Sequence, residues 1–154
     1  MTGPIGNPRL VQRQDERQDY ETPPELFLSL SDEFGPFDVD VAANEINHKT
    51  ATWYGPAAAY TDGLSVDWTG LRCWMNPPYG RATSAWVKKA SEARALVVCL
   101  IPARTDTRWF HDYVLPKAKT VRFLRGRPKF WIDGKDTGQS GKFPSMVVVF
   151  DGRA

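Results

Sequence analysis

Apolar runs in the second half of the chain predict buried strands. The longest run spans Leu96–Ile101, and Met146–Phe150 is a similar run near the end of the chain. A continuous run of four to eight apolar residues is typical of a strand that is buried on both faces. Shorter runs predict further strands at Arg72–Met75 and Val121–Leu124, with a short companion at Lys129–Ile132.

The first half of the chain begins with a predicted helix and a predicted strand. Thr22–Glu25 has the pattern of a helix start, because Thr22 can cap and proline is tolerated in the first turn. Gly35–Pro36 ends this helix. The segment Phe37–Ala43 alternates between apolar and acidic residues, which predicts a strand.

Two further helices are predicted between the later strands. Thr83–Ala95 has apolar residues at helical spacing. A second helix is expected to be capped by Thr105 or Asp106 and to run to about Leu115, with Pro116 following it. Strands that alternate with helices indicate an α/β fold with a mixed, mainly parallel sheet.

Ligands in such folds bind at the carboxyl ends of the strands. This rule singles out the segments that follow Ala43, Met75 and Ile101. Residues 1–18 carry few large apolar groups, which predicts a flexible tail before a single domain over residues 19–154. Residues 133–142 contain three glycines and are predicted to form a mobile loop.

Composition narrows the functional class only slightly. A chain of 154 residues with 42% apolar residues suits one globular domain. The formal net charge is +2, so nucleic-acid binding must rest on local clusters rather than on bulk charge. Cys73 and Cys99 lie in apolar runs and are expected to be buried, reduced thiols, so no metal site is predicted. No apolar stretch reaches membrane-spanning length, and a cytoplasmic protein is expected.

The sharpest chemical feature is Asn76-Pro77-Pro78-Tyr79, directly after a predicted strand. The prolines fix the direction of the chain and leave their carbonyls as acceptors. Acceptors at Asn76 and at the Pro77 carbonyl can hold both hydrogens of an aromatic amine, and Tyr79 can stack on its ring. Methylation of such an amine requires this arrangement, because it turns the nitrogen lone pair towards the methyl group. A plain Pro-Pro turn with a packed tyrosine is the alternative.

The chain resembles the phage DNA N-6-adenine methyltransferase family, and the resemblance extends from about Tyr20 to Phe150. Asn-Pro-Pro-Tyr is similar to the catalytic motif of amino-methyltransferases. The resemblance rests on six segments in this order: Thr22–Phe27, Phe37–Ala43, Asp62–Leu64, Trp74–Gly80, Pro102–Asp112 and Phe143–Phe150. It implies a single-domain, Rossmann-like S-adenosylmethionine-dependent methyltransferase fold. It also implies transfer of a methyl group to the exocyclic amine of a flipped-out adenine in DNA.

The resemblance further implies a cofactor site around the first strand. Many methyltransferases carry a Gly-x-Gly turn after this strand, whereas this chain continues as Ala42-Ala43-Asn44. Glu45 is a candidate for the acidic residue that would hold the ribose. The residues expected at S-adenosylmethionine are Pro23, Phe27, Asp40, Ala42, Asn44 and Asp62. For the two aspartates of the first strand, Asp38 and Asp40, the alternative is a polar face of a half-exposed strand.

Basic residues in two stretches are candidates for DNA contacts. One stretch follows the Leu96–Ile101 strand, and the other is a run in which alternation along a strand would place several cations, Arg122 among them, on one face. A helix cap with solvated arginines, or a solvated edge strand, is the alternative. The candidates in these stretches are Arg104, Arg108, Arg125, Arg127 and Lys129. Two further candidates are Arg81, just after the motif, and Trp109, which could stack on an extruded base.

Three functions therefore remain open from the sequence. The first is a DNA adenine methyltransferase. The second is an amino-methyltransferase with another acceptor, namely cytosine, RNA or a protein glutamine. The third is a DNA-binding module that kept the fold and lost catalysis, which the absent Gly-x-Gly would favour. The sequence does not indicate an oligomeric state.

Overall fold

A five-stranded mixed sheet forms the centre of the protein. The structure is a computed structural model that describes residues 20–56, 62–138 and 141–153. The predicted tail, residues 1–18, lies outside the described residues. The sheet has the order β1-β2-β3-β7-β4. Its strands are β1 (Val39–Asp40), β2 (Arg72–Met75), β3 (Leu96–Pro102), β4 (Thr120–Phe123) and β7 (Ser145–Asp151).

Most of these strands run in the same direction. The strands β1, β2 and β3 are parallel neighbours, so their carboxyl ends lie at one edge of the sheet. The last strand, β7, is antiparallel to both β3 and β4. Four strands therefore point one way and β7 points the other way. The predicted α/β class with a mixed, mostly parallel sheet is confirmed.

Helices cover both faces of the sheet. Helix α1 (Pro24–Phe34) packs Phe27 and Leu30 against one face. Helix α2 (Thr83–Glu92) packs Trp86 and Val87 against the other face. Successive residues of β3 alternate between the two apolar clusters, and all seven residues of β3 are buried. This burial on both faces explains the continuous apolar run in the sequence.

The start of α1 differs from its prediction. Pro23 is the residue before the first helical turn, and no side chain caps the helix. Thr22 was expected to be the cap, but that prediction is wrong. The Thr22 hydroxyl instead accepts a hydrogen bond from Asn76, at 3.1 Å, across a large distance in sequence. Two prolines at the helix start already remove backbone donors that a cap would satisfy, which leaves the threonine hydroxyl for another partner.

The helix after β3 is also different from the predicted one. It contains a π-type segment (Phe110–Val114) that continues into the single turn α3 (Leu115–Lys117). Neither Thr105 nor Asp106 caps it, because the backbone N–H of Phe110 donates to the Thr107 hydroxyl at 3.2 Å. Pro116 lies inside α3 and does not follow it. Proline is tolerated there because it occupies the first turn of the new α segment.

Strand β1 is much shorter than the predicted Phe37–Ala43. Beyond Asp40 the chain turns, because both carboxylate oxygens of Asp40 accept backbone N–H groups, from Ala42 at 3.3 Å and from Lys49 at 3.0 Å. Asp38 is exposed, whereas Asp40 is buried with 3% of its surface exposed. Asp40 therefore does not belong to a solvated polar face. It shapes the loop that follows the strand.

The predicted loop over residues 133–142 begins as a hairpin. Strands β5 (Trp131–Ile132) and β6 (Lys135–Asp136) pair in a small separate sheet. Asp133 and Gly134 join them with φ angles of 50° and 75°, which is the backbone of a tight hairpin turn. The expected alternation of basic residues along a strand is wrong, because β4 ends at Phe123.

Both cysteines are reduced and buried. Burial raises the pKa of the Cys73 thiol to about 12 and raises the pKa of Cys99 well above its ordinary value. Neither thiol is therefore reactive at neutral pH.

No helix within the described ranges is long and apolar enough to cross a membrane. Within the same ranges, no three acidic, histidine or cysteine residues are grouped as a metal site.

The completely buried side chain of Ile101 allows a test of the core. We expect Ile101→Ala to lower the free energy of unfolding by about 2–5 kcal/mol, because it leaves a cavity between the sheet and α2. Leu28→Ala, at a residue that is 60% exposed, should change it by less than about 0.5 kcal/mol. Urea denaturation monitored by tryptophan fluorescence measures both values. Equal effects of the two substitutions would contradict this packing.

Asp40 should make stability depend on pH. Burial raises the pKa of Asp40 from 3.8 to about 6, so the folded state binds more protons than the unfolded state between these values. The free energy of unfolding should therefore fall as pH rises from about 4 to about 7. Relative to Asp40→Asn, which does not titrate, the loss should reach about 3 kcal/mol. Parallel denaturation profiles for wild type and variant over this range would disprove the assignment.

Candidate active site

The carboxamide of Asn76 lies at the centre of a hydrogen-bond network just beyond the carboxyl end of β2. Its Nδ2 donates to the Tyr20 carbonyl oxygen at 2.6 Å and to Thr22 Oγ1 at 3.1 Å. Its Oδ1 accepts the Tyr79 hydroxyl at 2.7 Å. Because the Tyr20 carbonyl can only accept, the amide nitrogen must face it. The oxygen Oδ1 keeps a second lone pair for another donor.

The hydroxyl of Tyr79 belongs to this network, and its ring belongs to the apolar core. The hydroxyl donates to Asn76, and the Leu100 carbonyl is a longer acceptor at 3.1 Å. Burial raises its pKa well above the ordinary tyrosine value, so the hydroxyl stays protonated. The ring is only 3% exposed. Tyr20 stacks on it with centroids 5.5 Å apart, and the edges of Phe130 and Phe143 enclose it further.

The two prolines of the motif have different surroundings. The Pro78 carbonyl accepts the Thr83 hydroxyl at 2.9 Å, which ties the motif to the start of α2. Pro77 is buried, whereas Pro78 is partly exposed and lines a neighbouring pocket. The prolines therefore separate the Asn76 network from that pocket by a single short turn.

This pocket has a volume of about 300 Å³ and lies beyond the carboxyl ends of β1 and β2. Its wall combines small residues, two carboxamides, two aromatic rings and one carboxylate. Such a mixture can hold a ligand with an aromatic ring and several polar groups. The lining residues are Ala42, Ala43, Asn44, Asn47, Tyr54, Gly55, Pro56, Asp62, Gly63, Pro78 and Trp86.

Half of the residues expected at the cofactor line this pocket, namely Ala42, Asn44 and Asp62. Asp40 lies beneath its floor and holds the Ala42 backbone. Phe27 is in the core, where its ring contacts Phe37 and Trp74. Pro23 precedes α1 and, like Glu45, is outside the set of lining residues. Cofactor contacts of all six remain predictions.

Two glycines distant in sequence pack against the backbone that follows β1. A Cβ on Gly55 would lie 1.7 Å from the Ala43 carbonyl oxygen, and one on Gly63 would lie 2.0 Å from that of Val41. Only glycine fits at both positions. The sequence analysis missed both residues, together with Asn47, Tyr54 and Trp86. Asp62–Leu64 is one of the segments that carry the family resemblance, but nothing in the sequence placed Gly63 against the end of β1.

The predicted DNA-contacting residues separate into two groups. Arg81 and Arg104 border a depression of about 320 Å³ at the carboxyl end of β3, beside the motif. Trp109 also borders it but is only 7% exposed and packs into the core. Arg108 is exposed and directly precedes Trp109 in the sequence. Their contacts with DNA remain predictions.

The second basic group lies between β4 and the hairpin. Arg125, Arg127 and Lys129 are exposed there. Arg122 on β4 forms an ion pair with Glu33, so its charge is already compensated within the protein. Lys129 precedes the buried Phe130, which contacts the rings of Tyr20 and Tyr79. The second group therefore adjoins the aromatic cluster at the motif.

Comparison with known proteins identifies the family. The family model described as DNA N-6-adenine-methyltransferase (Dam) matches residues 11–153. A DNA N-6-adenine-methyltransferase of Haemophilus phage HP1 is 32% identical over 124 residues, which cover 77% of this chain and 69% of the relative. One of Escherichia phage T1 is 30% identical over 127 residues, covering 80% of this chain and 51% of the relative. The chain therefore belongs to the DNA N-6-adenine-methyltransferase family, a family of enzymes that methylate DNA.

Proposed function

We propose that this chain transfers the methyl group of S-adenosylmethionine to N6 of a flipped-out adenine in DNA. Family membership supports the reaction and its acceptor. The observation that carries the assignment of residues is the orientation of Asn76, whose Oδ1 is the carboxamide atom left able to accept from a further donor. The fold is then a Rossmann-like methyltransferase fold with β7 as its antiparallel strand.

S-adenosylmethionine suits the 300 Å³ pocket on chemical grounds. Tyr54 and Trp86 offer apolar ring surfaces for an adenine, and Asp62 with Asn44 and Asn47 offers polar groups. Gly63 packs directly against the Val41 carbonyl and the Trp86 ring at the wall of the pocket. When bound, S-adenosylmethionine supplies a methyl group on a positively charged sulfur. Pro78 belongs to the Asn76–Tyr79 turn and also lines this pocket. The methyl donor and Asn76 would therefore lie on adjoining sides of one turn.

Asn76 and Pro77 then hold the target amine. Asn76 Oδ1 accepts one hydrogen of the amine, and we assign the other to the Pro77 carbonyl because the Pro78 carbonyl already accepts from Thr83. Two acceptors favour a tetrahedral nitrogen whose lone pair points towards the methyl group. Methyl transfer would form the N–C bond as the S–C bond of the bound donor breaks, and the surplus proton would then pass from the nitrogen to solvent. No general base is needed before attack.

Tyr79 supports this arrangement chiefly through its hydroxyl. The hydroxyl orients Asn76 Oδ1, and its high pKa keeps it a donor. A base can stack on the Tyr79 ring only after the Tyr20 ring has moved from it, because Tyr20 covers that face. Exchange of one aromatic partner for another preserves most of the stacking energy. We therefore retain base stacking by Tyr79 as part of the proposal, with Tyr20 as the displaced ring.

DNA contacts are assigned to the two basic groups that flank the motif. Arg81, Arg104 and Arg108 form one group, and Arg125, Arg127 and Lys129 form the other. Phosphate contacts from both sides would hold the duplex while one base leaves the stack. Since both named relatives are phage proteins, we place this activity in the cytoplasm of a host cell.

Substitution of Asn76 tests its proposed role at the target amine. We expect Asn76→Ala to lower the rate of methyl transfer to duplex DNA by about a hundredfold or more, because one of two acceptors at the amine is lost. Labelled S-adenosylmethionine, followed by nucleoside mass spectrometry, should give N6-methyladenine with wild type. Calorimetry should give an unchanged cofactor Kd for the variant.

Other outcomes of this experiment have definite meanings. Methylcytosine as the product would keep the mechanism and replace the proposed acceptor. Cofactor binding without methyl transfer to DNA would direct the search to RNA or protein glutamine. Failure of the wild-type protein to bind S-adenosylmethionine would overturn the enzymatic proposal and leave a DNA-binding module.

Substitution of Asp62 tests whether the pocket beside β1 binds the cofactor. Asp62→Ala should weaken S-adenosylmethionine binding by about tenfold, the effect of one charged hydrogen bond. Asp67→Ala is a matched control, because Asp67 Oδ1 accepts from Thr69 N at 2.9 Å just as Asp62 Oδ1 accepts from Leu64 N at 3.0 Å. Asp67 lies outside the pocket lining. Equal losses in both variants would show that only the turn matters and would refute the contact.

A further inference from the structure

Three residues before α1 form an extended strap, Tyr20–Thr22, that lies between the hairpin and the motif. Its middle residue, Glu21, exchanges two backbone hydrogen bonds with Trp131, each 2.9 Å long. The Glu21 side chain reaches the far end of the same hairpin, where both carboxylate oxygens accept the Gly134 N–H at 2.9 and 3.1 Å. The strap is therefore fastened to the hairpin at its base and at its turn.

The residues on either side of Glu21 hold Asn76. The carbonyl of Tyr20 and the hydroxyl of Thr22 take both hydrogens of the Asn76 amide. A carboxamide turned by 180° would bring Oδ1 against the Tyr20 carbonyl, and two acceptors in contact repel each other. The position of the strap thus decides which Asn76 atom faces the substrate. The backbone and the side chain of Glu21 both help to fix the strap, through Trp131 and Gly134.

We propose that Glu21 is a positioning residue that couples the Trp131–Asp136 hairpin to the orientation of Asn76. This inference rests on the proposed role of Asn76 at the target amine. Glu21 itself is 5% exposed and faces the hairpin rather than the catalytic turn, so it acts through the strap. The hairpin directly follows the exposed cations Arg125, Arg127 and Lys129. A duplex held by these cations is therefore linked through Glu21 to the catalytic carboxamide.

Burial of the Glu21 carboxylate between the strap and the hairpin costs free energy of hydration. An apolar residue would fill the same space without loss of hydration, whereas a carboxylate requires hydrogen-bond partners. Here the Gly134 N–H is such a partner. Burial lowers the pKa of Lys49, and the nearby Glu21 carboxylate partly opposes this effect. The turn requires glycine at 134, with φ of 75°, so the donor is held in a fixed direction. Both partners of the bond are consequently rigid.

The test compares Glu21→Ala with Glu21→Gln in steady-state methylation of duplex DNA. Glu21→Ala should lower kcat by about tenfold, because the strap loses its bond to the turn and Asn76 samples other orientations. The KM for S-adenosylmethionine should stay unchanged. Glu21→Gln keeps one carbonyl acceptor for Gly134 and should restore most of kcat. Thermal unfolding of each variant shows that it is folded at the assay temperature.

Asp136→Ala is the matched control. Asp136 Oδ1 accepts from Gly138 N at 2.8 Å, so this substitution also removes a carboxylate-to-glycine bond from the hairpin region. That bond does not connect to the strap, and kcat should stay at the wild-type value. If Glu21→Ala lowers kcat no more than Asp136→Ala does, or if Glu21→Gln restores nothing, Glu21 has no positioning role.

A double-mutant cycle separates positioning from general stability. Thr22→Val removes an acceptor of Asn76 from the same strap, so the effects of Glu21→Ala and Thr22→Val on kcat should be less than additive. Additive effects would indicate independent structural damage and would overturn the coupling. Failure of the proposed function would already appear in the wild-type protein as no methylation of adenine in DNA. Failure of the proposed role of Asn76 would appear as a wild-type rate in Asn76→Ala. Loss of activity in Asn76→Ala with full activity in Glu21→Ala would overturn this inference alone.

Discussion

The hydrogen bond from Asn76 Nδ2 to the Tyr20 carbonyl constrains everything around the motif. An isolated asparagine side chain can present either its oxygen or its nitrogen to a neighbour, and the two orientations have almost the same shape. A backbone carbonyl removes this freedom because it has no hydrogen to donate. At 2.6 Å the contact is short, and the Tyr79 hydroxyl supports the same orientation from the opposite side. The direction of Asn76 Oδ1, the atom that we propose faces the substrate, is therefore fixed by the protein itself.

The same short turn gives the site its two sides. Asn76 joins the strap and the aromatic rings on one side, whereas Pro78 faces the pocket beside β1 and α2 on the other. The Thr83 hydroxyl fixes the turn against α2 through the Pro78 carbonyl. A methyl donor and an acceptor must approach each other from opposite directions for in-line transfer. A turn with the pocket on the Pro78 side and the Asn76 carboxamide on the other suits the transfer that we propose.

The long elements of the fold could be predicted from the sequence because their signal is local. Strand β3 and the Met146–Phe150 part of β7 are buried on both faces, and all of their residues are apolar. Strand β1 was overestimated because alternation in Phe37–Ala43 is only a local preference. The chain leaves the strand where the Asp40 carboxylate takes the Lys49 N–H, a partner nine residues away. The helix after β3 was misjudged for a similar reason, since three neighbouring polar residues compete to cap it.

The candidate site could be predicted only where residues of related chemistry follow one another in the sequence. Asn76–Tyr79 could be found because its four residues are consecutive, and the pocket could be placed because parallel strands end at one edge. The partners of Asn76 are 54 and 56 residues away, and no periodicity relates them. Gly55 and Gly63 pack against the backbone after β1 from segments that lie more than ten residues further along the chain. A close backbone approach requires a glycine at the point of contact, and the fold can supply that glycine from any segment that passes there.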